Sequence, residues 1–489
     1  MDNLTAKQND YAVFLPAISG FYATFIGKQR NEHYVEPDRL SKAGLGDMEE
    51  LNWLNSQKGL FPYRWSLYSG GHANLDLNKQ DWSEDMVRNR EEGTLILGDS
   101  GGFQIAKGLW EGDWKANSGC AKAQKKRAAI LTWLDNISDY AMALDIPTWV
   151  IHDEKASKAC QISTLQEAVD ATKYNNEYFM KHRKGVNNGG AKFLNVLQGA
   201  NHADAERWYE TMKDYCDPVK YPDTHFNGWS MGGQNMCDIH LVLKRLVTLR
   251  YDNLLQEGIH DWMHFLGTSK LEWAVLLTVL QRAVRKHVNP SFTISFDCAS
   301  PFLATANGQV YRENKFTHNG KWSYLMSPTA DDKKYATDSR KLSDALLADG
   351  FHTVFEDSPI SDQLKISDIC YYKPGDLNKN GKEGKTSWDS FSYCLLMGHN
   401  VYMHLTAVQE ANRRFDAGDH PAMMWNQKGD YTYFKDIVDA VFEAPDKETA
   451  MAVIDMYDNY WMDIIGTRGF KGKKTKNANT MFGELFSVS

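Results

Sequence analysis

"TLILGDSGGFQIAKG", residues 94–108, holds the pattern that decides the fold. Three apolar residues, Leu95, Ile96 and Leu97, run up to Asp99, and Ser100, Gly101 and Gly102 follow. An unbroken apolar run is how a strand buried on both faces reads. By itself the stretch also fits a strand that ends in a solvated aspartate. Seven other stretches repeat it: 11–20 (YAVFLPAISG), 63–71 (YRWSLYSGG), 140–149 (YAMALDIPTW), 192–200 (KFLNVLQGA), 226–233 (FNGWSMGG), 263–269 (MHFLGTS) and 292–298 (FTISFDC). Between them lie patterns such as 238–250 and 270–284, whose apolar residues recur three and four apart, as one face of a helix on a sheet requires. Strand and helix in alternation predict βα units and a parallel sheet. Eight such strands predict an α/β fold, a closed (β/α)8 TIM barrel with insertions, with an open doubly wound sheet as the alternative.

In a barrel every strand ends at the same mouth. Asp99, Asp145, Gln198, the Gly232–Gly233 pair, Gly267 and Asp297 each stand at a strand end. Three carboxylates, a carboxamide and bare backbone then share one polar pocket. One carboxylate can stay ionised as a nucleophile while a neighbour, its pKa raised, serves as general acid. A carboxylate facing a guanine-like edge accepts from both N1–H and the 2-amino group, and glycine lets a flat ligand approach the main chain. Cys298, beside Asp297, reads as a packed small residue. The reading divides the chain into a barrel region at 1–325, an irregular insertion at 326–390 and a C-terminal helical subdomain at 391–489. In that subdomain 391–415 and 434–463 are helical and complete the barrel, and a basic tail follows.

A net charge of −8 argues against coating nucleic acid through bulk charge, although basic patches stand at 122–127, 181–184 and 467–476. The seven cysteines are scattered, without a disulfide framework, and neither an apolar signal core nor a membrane-length run is visible. These features predict a cytoplasmic protein with no membrane partner.

"DSGGFQ" (99–104), "LDIPT" (144–148), "LQG" (197–199), "MGG" (231–233), "LGT" (266–268) and "FDC" (296–298) occur in the order of the motifs of tRNA-guanine transglycosylases, a family this chain resembles over roughly residues 90–310. A later stretch, "LMGHNVYMHLTAVQEANR" (396–413), resembles that family's helix beginning near a metal-binding histidine. The family is a TIM barrel that exchanges guanine in a nucleic acid for a 7-deazaguanine base. The resemblance implies that Asp297 is the nucleophile that attacks the sugar C1′ and that Asp99 is the general acid/base. It implies that Asp145, Gln198 and the Gly232–Gly233 backbone read the base edge, with Ser100 and Phe103 shaping the pocket. No cofactor is needed for this chemistry. The chain looks most like the phage-type branch that acts on DNA. "LDIPT" is similar to enzymes that take preQ0, the nitrile-bearing precursor.

The chain departs from the family at the metal. The usual zinc site combines a C-x-C-x-x-C cluster with a downstream histidine; here "SDICYYK" (367–373) keeps only Cys370, while His399 matches the histidine. A structural zinc wants four N or S ligands, so Cys394 or His404 would have to contribute; the alternative is that packing has replaced the metal. Partners implied are DNA, or tRNA in the alternative, and a free 7-deazaguanine base, with room for a homodimer. Two rival readings remain: a non-catalytic nucleic-acid-binding subunit, for which a retained nucleophile has no use, and a two-carboxylate glycosidase, which leaves Gln198 and the glycine pair without a task.

Overall fold

Each of the eight apolar stretches forms a strand: β1 (Val13–Pro16), β2 (Trp65–Ser69), β3 (Leu95–Asp99), β4 (Tyr140–Met142), β5 (Lys192–Leu197), β6 (Gly228–Met231), β7 (Trp262–Phe265) and β8 (Thr293–Cys298). The structure is a computed structural model that describes residues 10–464 other than 33, 346–353, 373–376, 378–385 and 428–431. The basic tail at 467–476 lies outside the described residues, as does most of the polar stretch 373–385.

The strands are all parallel, in the spatial order β1-β8-β7-β6-β5-β4-β3-β2. The ring closes between β1 and β2 through a single parallel bridge, Ala17 with Leu67, where the Ile18 N–H donates to the Leu67 carbonyl at 2.9 Å. The fold is therefore a (β/α)8 barrel, and the open-sheet alternative falls. Outer helices follow most strands, among them Gly20–Glu32, Ala121–Ile137, Leu165–His182, His202–Met212, Ile239–Tyr251 and Leu271–His287. Their starts are legible locally. Thr164 and Glu167 form a reciprocal capping box, and the Asp238 side chain accepts from the His240 and Leu241 N–H groups.

The eighth outer helix is delayed. Helix Ser390–Asp416 packs against Leu271–His287, against Gly20–Glu32 and against the short helix Ser300–Ala306, so it occupies the last place in the ring. Asp389 caps it, accepting from the Ser392 N–H at 2.7 Å. The same carboxylate pairs with Arg39 at 3.0 Å, both groups being buried, while Arg39 also donates to the Asp368 carbonyl at 2.7 Å. Removing one partner of such a pair typically costs about 3–5 kcal/mol, because the other charge is left buried alone.

Between β8 and this helix stands an antiparallel hairpin, β9 (Gln309–Phe316) and β10 (Trp322–Pro328), which crosses the boundary expected at 325. Asn319, in the left-handed region at φ 48°, and Gly320 make its turn. The rest of the insertion consists of short helical turns and irregular chain. The helical run expected over 434–463 is broken into Phe434–Glu443, Lys447–Met456 and Asp458–Trp461. Pro445 cannot continue a helix, and Asp446 caps the next one. Among the described residues no helix is long and apolar enough to cross a membrane.

Candidate active site

Asp297 is the penultimate residue of β8, and parallel pairing with β7 sets its neighbours. Its Oδ1 accepts from the Gly267 N–H at 2.9 Å and lies 3.1 Å from His264 Nε2. The other face of the imidazole is also engaged, with Nδ1 2.8 Å from the Ser295 hydroxyl. Two partners, the Gly267 N–H and the His264 ring, thus converge on Oδ1 of Asp297.

Asp99, at the end of β3, is treated differently. Burial raises its pKa, and the nearby charge of Asp297 adds to the effect. The Ser69 hydroxyl, donating at 2.7 Å, and the Gly101 N–H, at 3.3 Å, work in the opposite direction. Asp145 lies just beyond β4 and is 7% exposed; burial pushes its pKa up to about 7, against the Gln198 hydrogen bond and with help from Asp99. The Gln198 amide donates to Asp145 Oδ2 at 2.7 Å, and its Oε1 is buried without a hydrogen-bond partner among the described residues. A buried acceptor of this kind is costly unless a donor arrives, which suits a ligand N–H. All three carboxylates stand at or just beyond the C-terminal ends of parallel strands, and so at one mouth, where Asp99 adds to the rise at Asp145 and Asp297 to that at Asp99.

The glycines have a more local explanation than room for a ligand. Gly101 adopts φ +83°, and a Cβ there would come within 2.5 Å of the Trp110 ring. At Gly102 a Cβ would lie 2.6 Å from the Asp145 carbonyl oxygen, and at Gly232 2.6 Å from the Gln198 amide nitrogen. Gly102 and Gly232 are therefore small so that Asp145 and Gln198 can sit where they do. The Gly232 N–H is committed to the Leu197 carbonyl at 2.8 Å, and its own carbonyl accepts from the Asn235 side chain at 3.0 Å. The Gly232 N–H, part of the Gly232–Gly233 backbone expected to read a base edge, is therefore engaged within the protein. A Cβ on Gly233 would press on Gln198 Oε1 at 2.8 Å.

Ser100 is buried and donates to the Ala143 carbonyl at 3.1 Å, which ties the end of β3 to the chain leaving β4. Phe103 is half-buried at the lip, its ring centroid 6.1 Å from that of Trp149. The Lys107 ammonium lies over both rings, 5.3 and 5.6 Å from their centroids, a cation–aromatic cluster of the kind that stacks on bases and meets phosphates.

Cys370 and His399 serve other partners. The Cys370 thiol donates to the Ala330 carbonyl at 3.2 Å. His399 is buried with Nε2 2.7 Å from the Tyr311 carbonyl and Nδ1 2.9 Å from the Ser358 hydroxyl, so both ring nitrogens are taken up by protein. His404 stacks on Phe14 and Tyr324 and bonds the Tyr324 hydroxyl at 2.9 Å. Among the described residues no group of three or more His, Cys, Asp or Glu is arranged to hold a metal, and these side chains do not fit a zinc centre. His399 instead fastens β9 to the eighth helix.

His264 and Ser295 were not singled out in the sequence. The available signal was alternation: Trp262 and His264 share one face of β7, and Ser295 and Asp297 share one face of β8. Compared with protein-family models and with curated proteins, the chain matches none.

Proposed function

We propose that this barrel exchanges guanine in DNA for a free 7-deazaguanine base, with preQ0 as the incoming base. The observation that carries the reading is the contrast between two carboxylates at one mouth: Asp297, held by two donors, and Asp99, raised in pKa. Displacement at an N-glycosidic carbon needs both. An Asp297 oxygen attacks C1′ and forms a glycosyl ester, the C1′–N bond breaks, and its electron pair leaves with guanine. Asp99 gives its proton to the departing base. In the second half Asp99 takes a proton from the incoming base, whose ring nitrogen attacks C1′ and releases Asp297.

Asp145 and Gln198 support recognition of the base. Their hydrogen bond fixes one carboxylate oxygen, and the unpaired Gln198 Oε1 is an acceptor for a ring N–H or amino group. In duplex DNA the guanine must leave the stack, at a cost of a few kcal/mol, and the Phe103–Trp149–Lys107 cluster is suited to receive an exposed base or its phosphate. The resemblance to the DNA-acting branch favours DNA over tRNA.

The test is exchange of labelled guanine, and of preQ0, into duplex DNA and tRNA side by side. Incorporation into DNA, abolished in Asp297→Ala with its melting temperature retained, is the expected result. Incorporation into tRNA alone would overturn the choice of substrate. An Asp297→Ala variant that still exchanged would overturn the mechanism, and incorporation into neither would overturn the function.

A further inference from the structure

Behind Asp297 runs a buried chain of hydrogen bonds that the proposed chemistry does not by itself require. The Trp262 indole N–H donates to Ser295 Oγ at 2.8 Å, Ser295 Oγ lies 2.8 Å from His264 Nδ1, and His264 Nε2 lies 3.1 Å from Asp297 Oδ1. Ser295 and His264 are fully buried, and Trp262 and Asp297 are each 8% exposed. The arrangement follows from register: His264 and Ser295 are direct partners across β7 and β8, and residues two apart on a strand share a face.

Counting protons fixes the direction of the chain. An indole can only donate, so Ser295 accepts from Trp262, and its own single proton is free to point at His264 Nδ1. An ionised carboxylate can only accept, so His264 Nε2 must carry a proton. The neutral imidazole protonated at Nε2 therefore satisfies every member without burying a further charge. Two donors, His264 Nε2–H and the Gly267 N–H, converge on Oδ1 of Asp297. Oδ2 receives no hydrogen bond from the described residues.

We propose that His264, oriented by Ser295 and Trp262, is the positioning residue that holds Asp297 by one oxygen and presents the other, Oδ2, for attack. For its kinetic consequence the proposal rests on the exchange reading; for the state of the imidazole it does not. The imidazole supplies one of the two donors that hold Oδ1, from a ring whose two nitrogens are both engaged.

Two measurements test it. Long-range nitrogen–proton NMR on histidine-labelled protein reads the His264 tautomer without any need for activity. A protonated Nε2 and a bare Nδ1 near neutral pH are expected, with the preference lost in Ser295→Ala. A ring protonated at Nδ1 alone, at both nitrogens, or unaltered by Ser295→Ala would overturn the relay. Kinetically, His264→Met fills the space without a donor, whereas His264→Gln retains an N–H. The Met variant should lower kcat about 10- to 100-fold, the worth of a hydrogen bond to a charged group, with KM for the free base unchanged, and the Gln variant should recover most of the loss. Equal losses in the two, or none in either, would overturn the positioning role. If His264→Met does not fold, Ser295→Ala and Trp262→Phe carry the kinetic comparison, with smaller losses of kcat expected and unchanged kcat overturning the proposal. A wild-type protein that exchanges nothing would refute the function while the NMR result still judged the relay.

Discussion

Replacing Asp145 by asparagine removes one charge from the barrel mouth and leaves the shape, including an oxygen that can accept from Gln198. In the folded protein burial raises the Asp145 pKa from the ordinary 3.8 to about 7. Below about pH 4 the carboxyl is protonated in both folded and unfolded chains, and it contributes no difference. As the pH rises from 4 to 7 the unfolded chain releases its proton first, so folding becomes progressively less favourable; above 7 the folded state has to bear a buried anion. At about 1.4 kcal/mol for each tenfold difference in proton affinity, the full effect is about 4 kcal/mol. An asparagine side chain in its place bears no such charge. Urea unfolding of wild type and Asp145→Asn between pH 4.5 and 8.5 should show the variant more stable at pH 8, by up to about 4 kcal/mol, with the gap closing towards pH 4.5. Other buried carboxyls with raised pKa, such as Glu84 and Asp135, contribute equally to both proteins and cancel in the comparison. Two parallel pH profiles, or a variant less stable at pH 8, would refute the reasoning. Binding of free base should move the opposite way, since asparagine presents one acceptor oxygen and an NH2 donor where a carboxylate presents two acceptor oxygens to a guanine-like edge, and this trade of stability for recognition is common at functional sites.

Other outcomes follow from the packing around the site. Gly232→Ala should force the Gln198 amide off Asp145, weakening base affinity in titration calorimetry about tenfold or more while costing about 1–3 kcal/mol of stability. His399→Leu should destabilise the protein by about 1–3 kcal/mol in denaturant titration, chiefly through the Tyr311 carbonyl that loses its donor, since the Ser358 hydroxyl keeps its bonds with Ser361 and Ile360. Dialysis of the wild type against a chelator should leave its melting temperature unchanged; a fall of several degrees would return a metal to the fold. Among the seven cysteines, Cys120 alone is not buried, and backbone N–H groups from Ala123 and its neighbours lower its thiol pKa. Brief alkylation of native protein followed by peptide mapping should label Cys120 first.

The barrel was legible because parallel strands buried on both faces read as short apolar runs, and Asp99, Asp145, Gln198 and Asp297 stood out as candidates because each follows or closes such a run. His264 did not, since it lies inside a strand, where one histidine among Met263 and Phe265 carries no local mark. Its meaning comes from Ser295 and Asp297, about thirty residues away in sequence and adjacent only through sheet register. The hairpin was missed although Asn319-Gly320 signals a turn, because its strands alternate too weakly between polar and apolar to stand out from irregular chain. His399, matched in the sequence to a metal-binding position, has both ring nitrogens hydrogen-bonded within the protein, an arrangement that only the packed structure shows.

The late arrival of the eighth helix sets a timetable for synthesis. β8 ends at Cys298, and the helix that covers the seam beside it opens only at Ser390, roughly 90 residues later. At about 5–20 residues per second the ribosome takes about 5–20 s to deliver it. During that interval every strand of the ring already exists, yet the apolar flank of helix Leu271–His287 waits uncovered, and Arg39 waits without the carboxylate that neutralises it. The nascent chain is thus most open to chaperones, and to aggregation, after its candidate catalytic residues have been made and before the ring has its last stave.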